Sequence, residues 1–168
     1  HCIALPTPFP VGPVNVYLAL GDPVTLIDTG PKENTTRRAL EAGLHAHGCR
    51  VEDLAQIILT HHHVDHTGLT AELVARSGAK VFTHPFNLPW LSDHAATRAK
   101  QAPYYRQLFQ CSGVPEQITR EIESASMAVA RWAEPYDGAS ALLEGDEIAF
   151  AQCTWKVYHT PGHAGGLI

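Results

Sequence analysis

The segment Leu59-Thr60-His61-His62-His63-Val64-Asp65-His66-Thr67-Gly68 decides how the rest of the chain is read. Just before its histidines, Ile57-Ile58-Leu59-Thr60 carries apolar residues on both faces, the pattern of a strand buried in a sheet. After it, Leu69, Leu73 and Val74 recur at helical spacing until Ser77-Gly78 ends the helix. The histidines therefore sit at the C-terminal end of a buried strand, where α/β folds gather their sites. Inside the segment the pattern His-x-His-x-Asp-His is carried by His61, His63, Asp65 and His66. In extended backbone, residues two apart face the same way, so His61 and His63 can grip one metal ion. Asp65 and His66 fall where the chain turns into the helix, where they can reach a second ion. Imidazole nitrogen and carboxylate oxygen at this density suit zinc, and also iron or manganese. A purification tag is also a histidine run, but it sits at a terminus and carries no interspersed Asp.

Working outward, the chain alternates strands and helices. Val14 to Leu20 is β-rich, Gly21-Asp22-Pro23 is a turn, and Val24 to Asp28 is a short buried strand closed by Thr29-Gly30-Pro31. Thr35 or Thr36 is expected to cap a helix running to about His47, with Gly48 stopping it. Lys80 to Thr83 is another strand, which completes a βαβ pattern and makes the fold class α/β. Residues 86–135 break the rhythm and read as a helical insert punctuated by Pro89, Pro103, Pro115 and Pro135. Strands resume at Ala149-Phe150 and Cys153 to Tyr158, with Gly145-Asp146 expected as the hairpin turn before them. A second histidine segment follows, His159-Thr160-Pro161-Gly162-His163, one hundred residues beyond His63. Only a fold can bring the two together.

Composition excludes several classes of function. The 168 residues fit one domain spanning 1–168, and 45% hydrophobic against 17% charged residues is too apolar for a disordered chain. No apolar run approaches the ~20 residues of a membrane span, so no membrane partner is expected. A net charge of −5 speaks against nucleic acid as a partner. Cys2, Cys49, Cys111 and Cys153 form no C-x-x-C pair and read as reduced thiols, with the cytoplasm as default location. Oligomeric state is not encoded in any feature of the sequence. The start at His1 rather than Met, and an end at Leu167-Ile168 just as an apolar strand begins, read as an N-terminal portion of a larger domain.

The two histidine segments resemble the metallo-β-lactamase-fold superfamily, and within it the glyoxalase II-like hydrolase branch. The family's first motif is matched by His61, His63, Asp65 and His66, its third-ligand motif by His163, and an early Asp-Thr-Gly by Asp28-Thr29-Gly30. The resemblance covers the chain apart from the insert. It implies an αββα sandwich, an α+β arrangement with its metal site along one edge. It also implies that His61, His63 and His163 hold a first metal and that Asp65 and His66 hold a second. Asp28 would support the ligand loop without ligating. The family pattern also calls for a bridging Asp after His163 and a further His, and these positions fall beyond Ile168.

For the remaining residues, His62 is expected to point away from the metals and His159 to orient its loop by hydrogen bonds. His84 is read as near the site mouth or on the surface, and His94 as exposed. His45 and His47 suit a helix C-terminus. Phe86, Trp90, Tyr104 and Tyr105 either line a substrate pocket or pack the insert.

The resemblance implies a metal-dependent hydrolase with one or two zinc ions. It would use an activated water on a thioester, ester or lactone-like acyl substrate, with Asp65 helping to orient the nucleophile. Gly-x-Ser-x-Gly is absent, which fits water as nucleophile. Alternatives are a mononuclear iron oxygenase of the persulfide dioxygenase type and a non-catalytic metal-binding scaffold. A phosphodiesterase or nuclease shares the motif, but the charge disfavours it.

Overall fold

The computed structural model describes residues 1–10 and 12–168. Its main sheet has six strands in the order β1 (Cys2–Leu5), β2 (Val14–Ala19), β3 (Thr25–Ile27), β4 (Gln56–Leu59), β5 (Lys80–Thr83) and β6 (Ser140–Ala141). The first three strands are antiparallel neighbours, and β3 through β6 run parallel. The crossovers supply helices α1 (Asn34–Ala46), α2 (Val64–Thr67) and α3 (Thr70–Ser77). Mixed α/β architecture follows from the alternation of the sequence.

Both faces of β4 are buried, as its unbroken Ile57-Ile58-Leu59 run requires. One face, with Leu5, Val16, Leu26, Ile57 and Leu59, packs under Leu40 and Leu44 of α1 and Leu73 of α3. The other face, with Ile27, Ile58 and Phe82, packs against Phe150 and Val157. These come from the β7 (Glu147–Phe150) and β8 (Cys153–Lys156) hairpin and the residues after it. A helix layer, a sheet and the beginning of a second sheet are thus stacked in that order.

Several local expectations are corrected. Helix α1 is capped by Glu33, whose carboxylate accepts from the backbone of Thr35 at 2.6 Å and Thr36 at 3.2 Å. A carboxylate at the N-terminus satisfies two orphan N–H groups and also suits the helix dipole, which a threonine hydroxyl does less well. Thr36 instead points inward, and its hydroxyl donates to the Pro6 carbonyl. A turn does precede β7 at Gly145-Asp146, where Asp146 N–H donates to the Leu143 carbonyl at 3.1 Å, while the β7–β8 hairpin itself turns at Ala151 and Gln152, both at positive φ. The left-handed pair matches the twist of the flanking strands. Strand β8 ends at Lys156, two residues before Tyr158.

Between β5 and β6 lie α4 (Leu88–Ser92), α5 (His94–Cys111) and α6 (Glu116–Ala128). Pro103 lies inside α5 and does not break it. Proline there removes one intrahelical bond, and on this exposed helix water can take the freed carbonyl. The end of the helical stretch docks beside the first histidine segment, where Lys32 N–H donates to the Trp132 carbonyl at 2.7 Å. Gly68 makes that approach possible, because a Cβ there would lie 2.3 Å from the Trp132 oxygen. No helix among the described residues is long and apolar enough to cross a membrane.

Candidate metal centre

Strand β3 delivers Asp28, and β4 delivers the histidines one strand over. Asp28 sits at φ 61, a left-handed conformation that Asp tolerates better than most residues, and is buried. Its Oδ1 accepts from the Thr60 backbone at 2.8 Å. Its Oδ2 accepts from the Thr60 hydroxyl and from His66 Nδ1, both at 2.8 Å. The Thr60 hydroxyl has one proton, and the carboxylate takes it. Its oxygen is therefore the acceptor for His61 Nδ1–H at 3.0 Å. This leaves His61 Nε2 unprotonated, with a free lone pair. One buried carboxylate thus sets the tautomer and ring orientation of two histidines.

The cluster itself is formed by His61, His63 and His163, with one ring nitrogen from each lying within 4.8 Å of the others. His61 Nε2 is 3.1 Å from His63 Nδ1, and the His63 and His163 rings are 4.5 Å apart, edge to face. Burial pushes His61 down to about 2, with the neighbouring histidines adding to it, and pushes His63 down to about 4. Converging imidazole nitrogens, with His61 and His63 held from protonation by their surroundings, are what a divalent metal requires of its ligands. The donor set therefore fits such an ion.

His66 and Asp65 open α2 beside the cluster. The His66 ring lies 4.2 Å from that of His61, and its Nε2 is 3.7 Å from Asp65 Oδ2. Burial alone would lower His66, but the Asp28 hydrogen bond and the nearby carboxylates raise it on balance. Sequence spacing singled out His61, His63, Asp65 and His66, the family resemblance added His163, and the fold brings all five together.

His62 turns away from the cluster and stacks on Trp90 at 4.2 Å, so Trp90 packs against the site rather than remaining a loose part of the helical stretch. His159 donates from Nε2 to the Gly165 carbonyl at 2.8 Å, tying its own loop. His84 is buried and stacks on His159 at 4.1 Å. His94 is corrected: it is half-buried, lies 5.0 Å from Trp90, and lines an apolar cleft with Phe9, His63, Asp65, Val129 and His163. The turn before α5 folds it back toward Trp90, which helical periodicity alone does not reveal. Tyr104 is two-thirds exposed and lines no cleft of the site.

Asn87 was invisible in the sequence. It is fully buried, and its Nδ2 donates both to the Thr83 hydroxyl at 2.9 Å and to the Gly166 carbonyl at 2.8 Å. It therefore ties the loop carrying His163 to strand β5. Gly166 is required there, since a Cβ would lie 2.4 Å from Asn87 Oδ1. No local pattern marks such a residue, because its partners are 4 and 79 positions away.

The sequence profile of the Metallo-beta-lactamase superfamily matches residues 9–168, nearly the entire chain. The chain belongs to the metallo-beta-lactamase superfamily. A probable metallo-hydrolase of Bacillus subtilis (strain 168), YqjP, is 36% identical over 162 residues, covering 96% of this chain and 50% of that protein. The metallo-beta-lactamase family protein TTHA1429 of Thermus thermophilus superposes with a TM-score of 0.79 at 30% identity, over 99% of this chain and 53% of that one. The metallo-beta-lactamase GOB-18 of Elizabethkingia meningoseptica shares the fold with a TM-score of 0.66 at 21% identity, over 94% of this chain and 49% of that one. The chain thus spans about half the length of these relatives. Membership in the superfamily and the three converging imidazoles agree on a metallo-beta-lactamase fold with a candidate metal site.

Proposed function

We propose that this chain carries the metal-binding part of a glyoxalase II-like hydrolase acting on a thioester, ester or lactone-like acyl substrate. The observation that carries the reading is the convergence of His61, His63 and His163 from two segments one hundred residues apart. These three hold a first zinc ion, and Asp65 and His66 contribute to a second. A divalent metal supplies Lewis acidity and a water acidic enough to ionise near neutral pH. The chain's own part is orientation. Asp28 holds His61 through Thr60 and holds His66 directly, so neither ring reorganises as ligands bind. Asp65, at the first turn of α2, accepts a hydrogen bond from the nucleophilic water and directs it at the carbonyl. His62 and Trp90, stacked on one another, form one wall of the cleft that opens beside His63 and His163.

The test uses the intact protein with a double substitution, His61→Ala and His63→Ala. Metal content by elemental analysis and turnover of a thioester, an ester and a lactone are measured together. Loss of both metal and turnover is expected. Undiminished turnover in the double variant overturns the reading, as does one iron per chain with oxygen consumption in the wild type.

A further inference from the structure

Two clefts meet at the three-histidine cluster, and they differ in chemistry. The apolar one, lined by Phe9 and Val129, has just been described. The other has a volume of about 410 Å³ and is bounded by His62, His63, Trp90, Arg98, Gln101 and Tyr105, with the His163 loop forming its far wall. That volume suits a small molecule. Among the described residues, no Asp or Glu lines it. Its single charged side chain is Arg98, on the second turn of α5.

Arg98 stands out in this acidic chain. Most of the other arginines are engaged: Arg37 with Glu72, Arg50 with Asp53, Arg76 with Glu41 and Glu52, Arg106 with Glu123, and Arg120 with Glu116. Among the described residues, Arg98 has no carboxylate within 4.0 Å. It is half-buried, and its guanidinium carbon lies 5.0 Å from the centre of the Tyr105 ring. Stacking engages the face of a guanidinium and leaves its in-plane N–H donors free. A stacked, partly desolvated cation without a counter-charge, on the wall of a cleft free of acids, is built to receive an anion.

We propose that Arg98 is the specificity-determining residue of an anion subsite, which selects acyl substrates bearing a carboxylate away from the reacting carbonyl. Calling the bound anion part of a substrate rests on the hydrolase reading. The subsite itself does not. In-plane donors of Arg98 take the carboxylate oxygens, and Gln101, one turn further along α5, is placed to share them. The reacting carbonyl then lies toward His63 and His163, which line the same cleft.

The experiment measures binding and turnover separately in the intact protein. Titration calorimetry compares monomethyl succinate with its neutral analogue, dimethyl succinate, in wild type, Arg98→Gln and Arg98→Lys. A charge-assisted hydrogen bond makes a preference of about tenfold or more for the anion the expected wild-type result. Arg98→Gln should abolish that preference, and Arg98→Lys should keep part of it. An anion preference that survives Arg98→Gln places the anion on the metal and overturns the proposal, as does no preference in the wild type. Thermal midpoints confirm that both variants fold. Turnover of mono-(4-nitrophenyl) succinate against 4-nitrophenyl butyrate is the second arm. If the binding preference holds while neither ester is turned over, the hydrolase reading fails and the anion subsite stands. If both esters are turned over without discrimination and no binding preference exists, the subsite fails and the hydrolase reading stands.

Discussion

The two histidine segments serve one site and are held in contrasting ways. The first, His61 to His66, is anchored from beneath by a buried carboxylate that takes three hydrogen bonds. The second, His159 to Gly166, lies mostly at the surface, with His163 exposed. It is tied by single bonds: His159 to the Gly165 carbonyl, Asn87 to the Gly166 carbonyl, and the His159 backbone to Glu144. Preorganisation is thus concentrated on one side of the cluster. A charge-assisted bond in a low-dielectric setting holds geometry firmly, whereas a bond to an exposed group competes with water. The first segment is thus the more firmly oriented half of the candidate metal centre, and the second the less.

The contrast is broken most severely at Asp28. Asp28→Asn keeps a residue that tolerates the left-handed backbone but can no longer accept from both Thr60 and His66. Metal affinity, measured by equilibrium dialysis, is expected to fall roughly 10–100-fold. An affinity equal to wild type would mean that the ligand rings need no support from beneath.

Acidification attacks the same side. Native His61, His62 and His63 are pushed down to about 2, 4 and 4 from an ordinary value of 6.5, chiefly by burial. Below pH 6.5 the unfolded chain therefore binds protons that the native state refuses. Stability of the metal-free protein should therefore fall steeply from pH 6.5 toward pH 4. His66 has the opposite sign, since its raised value contributes stability at low pH that is lost as pH climbs through it. One such group offsets three only in part. Thermal midpoints across this window check the slope, and rising midpoints on acidification would contradict it.

Asn87 links the two sides, so its loss should be intermediate. Asn87→Ala leaves the Thr83 and Gly166 partners without their donor and should cost about 1–3 kcal/mol in denaturant unfolding. Metal affinity should fall less than in Asp28→Asn. The mildest change is Glu144→Gln, which weakens one exposed bond to the His159 backbone. A loss within about 1 kcal/mol is expected. A larger effect than that of Asp28→Asn would reverse the assignment of which segment is preorganised.

Much of this arrangement was legible along the chain. The Ile57-Ile58-Leu59 run marked a strand buried on both faces, and the alternation around it marked an α/β sheet. The His-x-His spacing marked His61 and His63 as candidate ligands, because period-two geometry is local. Errors fell where several local solutions compete. Glu33 displaced Thr35 and Thr36 as the cap, and Pro103 was absorbed into an exposed helix.

What the sequence determined by itself was the α/β alternation, the buried strand that leads into the first histidine segment and the spacing of His61, His63, Asp65 and His66. These depend on hydrophobic period and on residue chemistry, both of which are written locally. The tertiary structure alone decided that Asn87 fastens the second segment to β5, that His94 turns inward, that Trp90 stacks on His62, and that Arg98 faces a cleft without a counter-charge. The ties from Asn87 to Gly166 and from His62 to Trp90 join residues 79 and 28 positions apart, so no local window contains both partners. The inward turn of His94 and the setting of Arg98 depend on which side of the packed fold their helix meets.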